Sequence, residues 1–473
     1  MRTAEDVDLP LLVDRSGRGD LRQQVAEQLR STLRAGAFPA GSRVPSSRAL
    51  AAHLGVSRAT VVAALAELEG EGWVESRHGS GTYVGPGVHL EPGAVPATGP
   101  PRSRTGGARA TTPKRTIDLV PGRPDTSGLV GPAWRRAWRE VAAAPVPSAD
   151  PSPVGVPELR EALAAHVRRA RGLDCGPDQV VVTAGTGDAL RLLADATRLA
   201  GGTAVVEEPG YPAARAVLEL TGARLHPLPV DADGVVVGHL RGAPPDARLL
   251  YLTPSHQYPL GGRLPVDRRL DVLRWAAHRD ALVVEDDYDG EFRFGALPVP
   301  ALASLDGSGR VAYVGTLSKV VAPGLRVGFA VVRADLVEAA AGIREATGMP
   351  VSEVVQRALA SYVGGGGLRR HVARQRRVYA DRRARLVRRL EALDGPVAVR
   401  GLDAGLHAVL SLPPDRPAAP LVRALARAGV LVADLDEYRM VPDPAAPGLV
   451  VGYGHVTPAD LDRGLDAVAR VLR

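Results

Sequence analysis

The feature that most restricts how this chain folds is a break in composition at residue 86. Residues 86–116, PGVHLEPGAVPATGPPRSRTGGARATTPKRT, are dense in proline, glycine, threonine and arginine and show no apolar period. Such a stretch has too little to bury to offset its own ordering entropy, so it reads as a flexible or polyproline-like tether. Each flank must therefore build its own core, and residues 10–85 and 117–473 are expected to be separate domains. The 473 residues suffice for two or three domains, and 45% hydrophobic content is globular. No run of about 18 apolar residues is present, which excludes a membrane-spanning helix. The first residues, MRTAEDVDLP, are acidic where a signal peptide is basic and then apolar. The single cysteine, Cys175, excludes an internal disulfide and a cysteine-cluster metal site, so no metal is expected. These features together predict a cytoplasmic protein.

The first flank reads as a winged helix. Leu21 to Gly36 places apolar residues at helical spacing, Ser46-Ser47-Arg48 opens a second helix stopped by Gly55, and Ser57 is placed to cap a third. On that third helix Val61, Leu65 and Leu68 share a face. Trp73 to Val84, turning at His78-Gly79-Ser80-Gly81, reads as a hairpin wing. From Gln28 to Ala66 there are five arginines and no acid, a local field suited to a phosphate backbone.

GSRVPSSRALAAHLGVSRATVVAALAELEGEGWVESRHGSGTYV resembles the winged helix of GntR-family transcriptional regulators over essentially its whole length. The resemblance implies binding to a double-stranded DNA operator through Arg48, Ser57, Arg58 and Thr60 at the two helix starts and His78 and Gly79 in the wing. Arg58 and Thr60 stand at the end of the helix that would enter a major groove, where arginine can bond a guanine edge. Arg22 departs from the family pattern, which has an aromatic there; this bears on packing rather than on DNA.

Beyond the tether, short β-branched runs (QVVVT, TAVVEEP, ARLLYLTP, ALVVEDDYD, RVAYVGT) alternate with helical segments. This predicts a doubly wound, mostly parallel α/β sheet with ligands at the carboxyl ends of its strands, and a smaller α+β lobe from about residue 367. Four groups fall at strand ends. Ala184-Gly185-Thr186-Gly187 can bring backbone amides to a phosphate. Asp286 and Tyr288 are alternate residues of one strand and can reach one ligand, a carboxylate suiting a pyridine nitrogen and a phenol the adjacent ring oxygen. Gly315-Thr316-Leu317-Ser318-Lys319, with Arg326 following, suits an aldehyde-capturing lysine beside a phosphate cup. Glu208-Pro209-Gly210-Tyr211 presents a ring able to stack on a planar heterocycle. The chain holds only two lysines, Lys114 in the tether and Lys319, and no asparagine. A GC-rich coding sequence accounts for that bias, yet arginine cannot form a Schiff base at neutral pH and lysine can.

In this order the groups resemble the fold-type I aminotransferases that use pyridoxal 5′-phosphate, across roughly residues 117–473. The resemblance implies Lys319 as the Schiff-base lysine, Asp286 on the pyridine nitrogen, Tyr288 on the phenolic oxygen and Tyr211 on the ring face. It also implies Gly185, Thr186, Thr316, Ser318 and Arg326 around the phosphate. A GntR-type reader joined to such a domain, with EDDYDGEFR and TPSHQYP, resembles the MocR-type regulators, which implies a head-to-tail homodimer. Three places depart from active aminotransferases. Tyr258 stands where an asparagine bonds the cofactor's phenolic oxygen, leaving His256 or Gln257 as substitutes. The arginine that clamps a substrate carboxylate aligns near Leu449. No tyrosine precedes Gly155 to reach a neighbouring subunit's phosphate.

The expectation is a regulator that couples occupancy of the pyridoxal 5′-phosphate site to operator recognition, with the cofactor itself, or an amino acid or amine, as effector. His256 and Arg215 are the candidates for an anion contact to such an effector. The rival is a working aminotransferase whose DNA-binding domain regulates its own gene, and a third reading is a regulator that binds no cofactor. Leu368 to Leu390, with ten arginines, is expected to be an amphipathic helix joining the lobes with a solvated basic face.

Overall fold

The computed structural model describes residues 13, 20–34, 38–77, 80–85, 116–294, 300–391 and 397–473. Almost all of the tether, and the wing residues His78 and Gly79, lie outside the described residues. The chain divides into two compact units, Met1–Ala110 and Thr111–Arg473.

In the first unit, α1 (Leu21–Arg34) packs on α3 (Arg58–Gly70), and α2 (Ser47–Leu54) meets α3 at a bend of 119°. The turn forms because Gly55 ends α2 in the left-handed region at φ +63°, while Ser46 and Ser57 cap the two helices. The Ser46 Oγ accepts from Ala49 N at 3.2 Å and the Ser57 Oγ from Thr60 N at 3.1 Å. Strands β1 (Val74–Arg77) and β2 (Gly81–Val84) pair antiparallel as the wing. Leu29, Leu50, Val61 and Leu68 are buried in a core belonging to this unit alone. The arginine field is narrower than the sequence suggests. Arg30 turns to Glu71 at 2.7 Å, while Arg34, which lies over Trp73, Arg43, Arg48 and Arg58 remain as its exposed members. Arg22 is half-exposed and paired with Asp20 and Glu67.

The second unit begins with β3 (Ile117–Asp118), α4 (Pro132–Ala142) and α5 (Pro157–Arg171), and then alternates as predicted. Strand β4 (Val180–Thr183) leads to α6 (Thr186–Ala196), β5 (Thr203–Glu208) to α7 (Pro212–Leu220), and β6 (Arg224–Asp231) turns into β7 (Gly234–Val235). Next come β8 (Ala247–Leu252), α8 (Val266–Arg279), β9 (Leu282–Asp287), β10 (Val311–Thr316) and β11 (Gly328–Val331). The sheet order is β4-β11-β10-β9-β8-β5-β6-β7, with β11 antiparallel to both its neighbours and β7 antiparallel at the edge. Strand residues alternate between two apolar layers. Val180, Val182 and Tyr313 face α5, α10 (Glu353–Gly364) and α11 (Gly367–Glu391), while Val181, Ala312 and Val314 face α6, α7 and α9 (Ala334–Thr347).

The C-terminal lobe comprises β12 (Ala398–Arg400), β13 (His407–Ser411), α12 (Ala418–Arg427), β14 (Val430–Leu431), β15 (Ala433–Asp434), β16 (Gly448–Gly452) and α13 (Pro458–Leu472). Its antiparallel sheet runs β12-β13-β16-β15. Two findings modify the expected boundary near residue 367. Strand β3 pairs with β14, which puts Leu119 in this lobe's core, and α11 serves both cores, through Leu368, Val372 and Tyr379 at one end and Leu386 and Leu390 at the other. The basic face of α11 is solvated as expected, most of its arginines being exposed, with Arg382 as the buried exception. Arg382 is buried against Asp125 at 2.6 Å, Arg376 donates to Glu291 O at 2.6 Å, and Arg389 pairs with Asp466 at 2.7 Å.

The loop after β8 is pinned from below by Arg269, which is fully buried on α8. Its guanidinium donates to the carbonyls of Leu264 at 2.7 Å, Pro300 at 2.7 Å and Pro254 at 2.9 Å. Arg269→Met keeps the stem and strands three buried acceptors, so unfolding in urea should show a loss of about 3–5 kcal/mol. A loss below about 1 kcal/mol would show that the loop holds its shape without this residue.

Candidate functional site

The carboxyl ends of β4, β5, β8, β9 and β10 open onto one cavity of about 430 Å³. The structure places Gly185, Thr186, Tyr211, Asp286, Tyr288, Thr316, Ser318, Lys319 and Arg326 all on its wall. Tyr251, Thr253, Tyr258 and Gly122 join them.

At one end Gly185 begins α6 at φ +98°, and a Cβ there would lie 3.5 Å from the Arg326 guanidinium. Arg326 itself is left-handed at φ +50° and donates to Ala184 O at 3.0 Å. The Thr316 Oγ1 accepts from Ser318 N at 3.1 Å, and the buried Ser318 Oγ has no partner. A helix start, a guanidinium and a spare hydroxyl together make an anion cup.

Asp286 faces the middle of the cavity from β9 and is fully buried. Tyr251 Oη donates to its Oδ2 at 2.6 Å, while Oδ1 is buried without a partner. Burial is the main cause that pushes its pKa up to about 7, with the neighbouring Asp287 adding to it. A ring N–H cation at Oδ1 would satisfy the orphan atom and restore the charge. Lys319 Nζ donates to Gly122 O at 2.6 Å, and burial lowers its pKa, making the neutral nucleophilic amine more accessible. Tyr211 stands edge-on to Tyr258, ring centres 5.7 Å apart.

The departures are resolved by geometry. Tyr258 occupies the wall, packed among Tyr211, Tyr288, Tyr438 and His407. Gln257 is not a substitute for the missing asparagine: its Nε2 is spent on Pro209 O at 2.9 Å and Tyr258 O at 2.8 Å, and its Oε1 on Leu260 N. Nor does His256 line the cavity; its Nδ1 lies 2.7 Å from Asp289. Arg215 is no anion contact either, since it donates to Tyr438 O at 2.6 Å and sits beside Glu208. Leu449 is buried in the core of the C-terminal lobe. Lys319 and Arg326 are the cations on the cavity wall among the described residues.

Tyr251 was missed by sequence reasoning because it sits in a strand that reads as purely apolar; only the β8–β9 pairing brings it to Asp286. The loop carrying Tyr258 is held by Glu207, whose carboxylate accepts from Thr253 N at 3.1 Å and Thr253 Oγ1 at 2.5 Å.

In the other unit, Arg58 is exposed at the start of α3, its Nε 3.2 Å from Ser47 Oγ, and Arg48 is exposed in the first turn of α2. Ser57 and Thr60 share a 2.8 Å hydroxyl contact at the same helix start.

A carboxyl whose folded pKa lies above its unfolded value of about 4 binds more protons folded than unfolded, so it disfavours folding increasingly from about pH 4 to about pH 7. Asp286→Asn removes that dependence. In cofactor-free protein, stability relative to the parent should rise by on the order of 1–3 kcal/mol between about pH 5 and about pH 8, read by denaturant unfolding. A difference that stays flat would show that Asp286 is already ionised in the folded protein.

The orphan carboxylate oxygen, the lysine and the anion cup fit pyridoxal 5′-phosphate. The family model of aminotransferase class I and II matches residues 116–468, and that of bacterial regulatory proteins, gntR family, matches residues 21–84. The pyridoxine biosynthesis transcriptional regulator PdxR of Corynebacterium glutamicum is 38% identical over 451 residues, covering 94% of this chain and 95% of that one. The probable rhizopine catabolism regulatory protein MocR of Rhizobium meliloti is 36% identical, covering 97% and 95%. A Pyrococcus horikoshii kynurenine aminotransferase shares the fold at a TM-score of 0.69 and 25% identity, over 76% of this chain and 91% of its own. An archaeal alanine:glyoxylate aminotransferase does so at 0.69 and 24%, over 76% and 90%. The chain therefore belongs to the GntR family of DNA-binding bacterial regulators, in the MocR-type group that joins the winged helix to a pyridoxal 5′-phosphate-type aminotransferase class I and II domain.

Proposed function

We propose that this protein is a cytoplasmic homodimeric regulator whose signal is pyridoxal 5′-phosphate, and that it controls vitamin B6 supply. The observation that carries this reading is the cation inventory of the cavity wall. Lys319 and Arg326 are taken by the aldehyde and the phosphate, which among the described residues leaves no cation on the wall to clamp an amino-acid carboxylate. The name of the Corynebacterium relative, a pyridoxine biosynthesis regulator, agrees with it.

When bound, pyridoxal 5′-phosphate supplies an electron-withdrawing ring and an aldehyde with which a lysine amine condenses, losing water. In the proposed arrangement Lys319 provides that amine, its pKa lowered by burial. Asp286, oriented by Tyr251, holds a proton at the ring nitrogen, and Tyr288 donates to the ring oxygen. Tyr211 covers the ring face, and Gly185, Thr186, Thr316, Ser318 and Arg326 hold the phosphate. A cofactor without an asparagine on its ring oxygen and without a neighbouring subunit's tyrosine on its phosphate is held more loosely and exchanges with the free pool, which suits a sensor. Differential binding to two dimer states then shifts operator affinity by about 1–3 kcal/mol.

Arg48, Ser57, Arg58 and Thr60 are proposed to face DNA, with His78 and Gly79 in the wing. Arg58→Ala is expected to weaken specific binding by about 1–3 kcal/mol and relax base preference, and Arg48→Ala to weaken all sequences evenly, as read by titration of labelled duplexes. Loss of neither would remove the helix starts from the interface.

The cofactor assignment is tested by colour. Lys319→Ala should abolish the visible band of the purified protein and Lys114→Ala should leave it. The sensor is tested by stripping the protein and titrating operator binding with pyridoxal 5′-phosphate alone and with amines added. Identical binding by stripped and reloaded protein, with a response to an amine, would favour an amine effector; turnover of an amino donor at enzyme-like rates would favour a working aminotransferase.

A further inference from the structure

One buried polar cluster beside the cavity is used by none of the roles above. Asp289, just beyond β9, and His256, in the loop after β8, are each 2% exposed. His256 Nδ1 lies 2.7 Å from Asp289 Oδ2 and 2.9 Å from the Tyr288 hydroxyl. The stretch leading into β13 closes over the pair. Gly405, at φ +73°, has no room for a Cβ, which would come 2.4 Å from Asp289 Oδ2 and 2.6 Å from the His256 ring. His256 Nε2 is buried without a partner.

This contact set constrains where the protons sit. An ionised carboxylate only accepts, so His256 Nδ1 carries a hydrogen and donates it to Asp289. Nδ1 then has no lone pair, and Tyr288 cannot donate to it; the phenolic oxygen at 2.9 Å shares the same N–H as an acceptor. The Asp289 carboxylate also hydrogen-bonds the Tyr288 hydroxyl, so Asp289 and His256 together hold the phenolic oxygen at the cavity wall, which Tyr288 lines. Without the carboxylate charge the imidazole is free to carry its hydrogen on Nε2. Nδ1 then becomes an acceptor that draws the phenolic hydrogen away. An aspartate that fixes the tautomer of a histidine in this way is a known device in other sites.

We propose that Asp289 and His256 are positioning residues that hold the Tyr288 hydroxyl at the ring oxygen of the bound cofactor. The inference rests on the cofactor reading above. The charged and titratable groups around Tyr288 and His256 are Asp286, Asp289, Tyr258, Lys319 and His407.

The test uses the full chain loaded with pyridoxal 5′-phosphate and follows its visible absorbance against pH. Parent, Asp289→Asn, His256→Gln, Tyr288→Phe and the double variant Asp289→Asn/Tyr288→Phe are compared. Asp289→Asn and His256→Gln are expected to move the midpoint in the same direction as Tyr288→Phe, by about threefold or more in proton affinity. The double variant is expected to move no further than Tyr288→Phe alone, because the pair acts through the phenol. A purely structural pair would lower thermal stability and leave the midpoint in place, which would overturn the proposal, as would full additivity with Tyr288→Phe. If Asp289→Asn does not fold, His256→Gln decides. Absence of a visible band in the parent overturns the cofactor reading and this inference together; a band that none of the pair's variants moves overturns this inference alone.

Discussion

Everything around the cavity depends on accommodating four carboxylates within five residues at the end of β9. Unpaired, such groups would cost several kcal/mol each to bury. The strand separates them by its period of two. Glu285 and Asp287 point to one side and Asp286 to the other. Glu285 accepts from Leu302 N at 2.8 Å and Ala303 N at 2.9 Å, while Asp287 takes Arg171 at 2.5 Å and Tyr313 at 2.7 Å. The buried pairing on one side fixes the strand, and that fixes Asp286 on the other, with one oxygen bonded to Tyr251 and one left open. Asp289, one turn later, is answered by His256.

The loop after β8 is the second determinant. Arg269 satisfies three of the carbonyls around it, Glu207 clamps Thr253, and Gln257 fills the space between. The result places Tyr258, not an amide, on the cavity wall, and directs His256 away from it. Tyr258 makes aromatic contacts there with Tyr211, Tyr288, Tyr438 and His407. With Leu449 locked in the C-terminal core and Arg215 bound to backbone carbonyls, Lys319 and Arg326 are the cations of the wall among the described residues.

The sequence by itself determined the two-part organisation, because a proline- and glycine-rich stretch cannot join a core, and the element types, because apolar periods of 3.6 and 2 leave little choice. It also determined Lys319, Asp286, Tyr288, Arg326 and the glycine turn at 185 as one group, since all follow strands and a doubly wound sheet gathers its strand ends. Caps at Ser46 and Ser57 and the stop at Gly55 were legible for the same reason: each is a local hydrogen bond or a single backbone angle.

Only the tertiary structure decided what those residues meet. Tyr251 reaches Asp286 through the pairing of two strands that lie 35 residues apart in the chain. The first strand after the tether joins the last lobe, and α11 is divided between two cores, because β3 finds its edge beside β14. Among arginines that look like one free basic field in the chain, Arg30 is spent on Glu71 and Arg382 on Asp125, while most of the others stay exposed. Composition states how many charges a chain carries; which of them remain for a ligand depends on long-range partners, and only packing sets those.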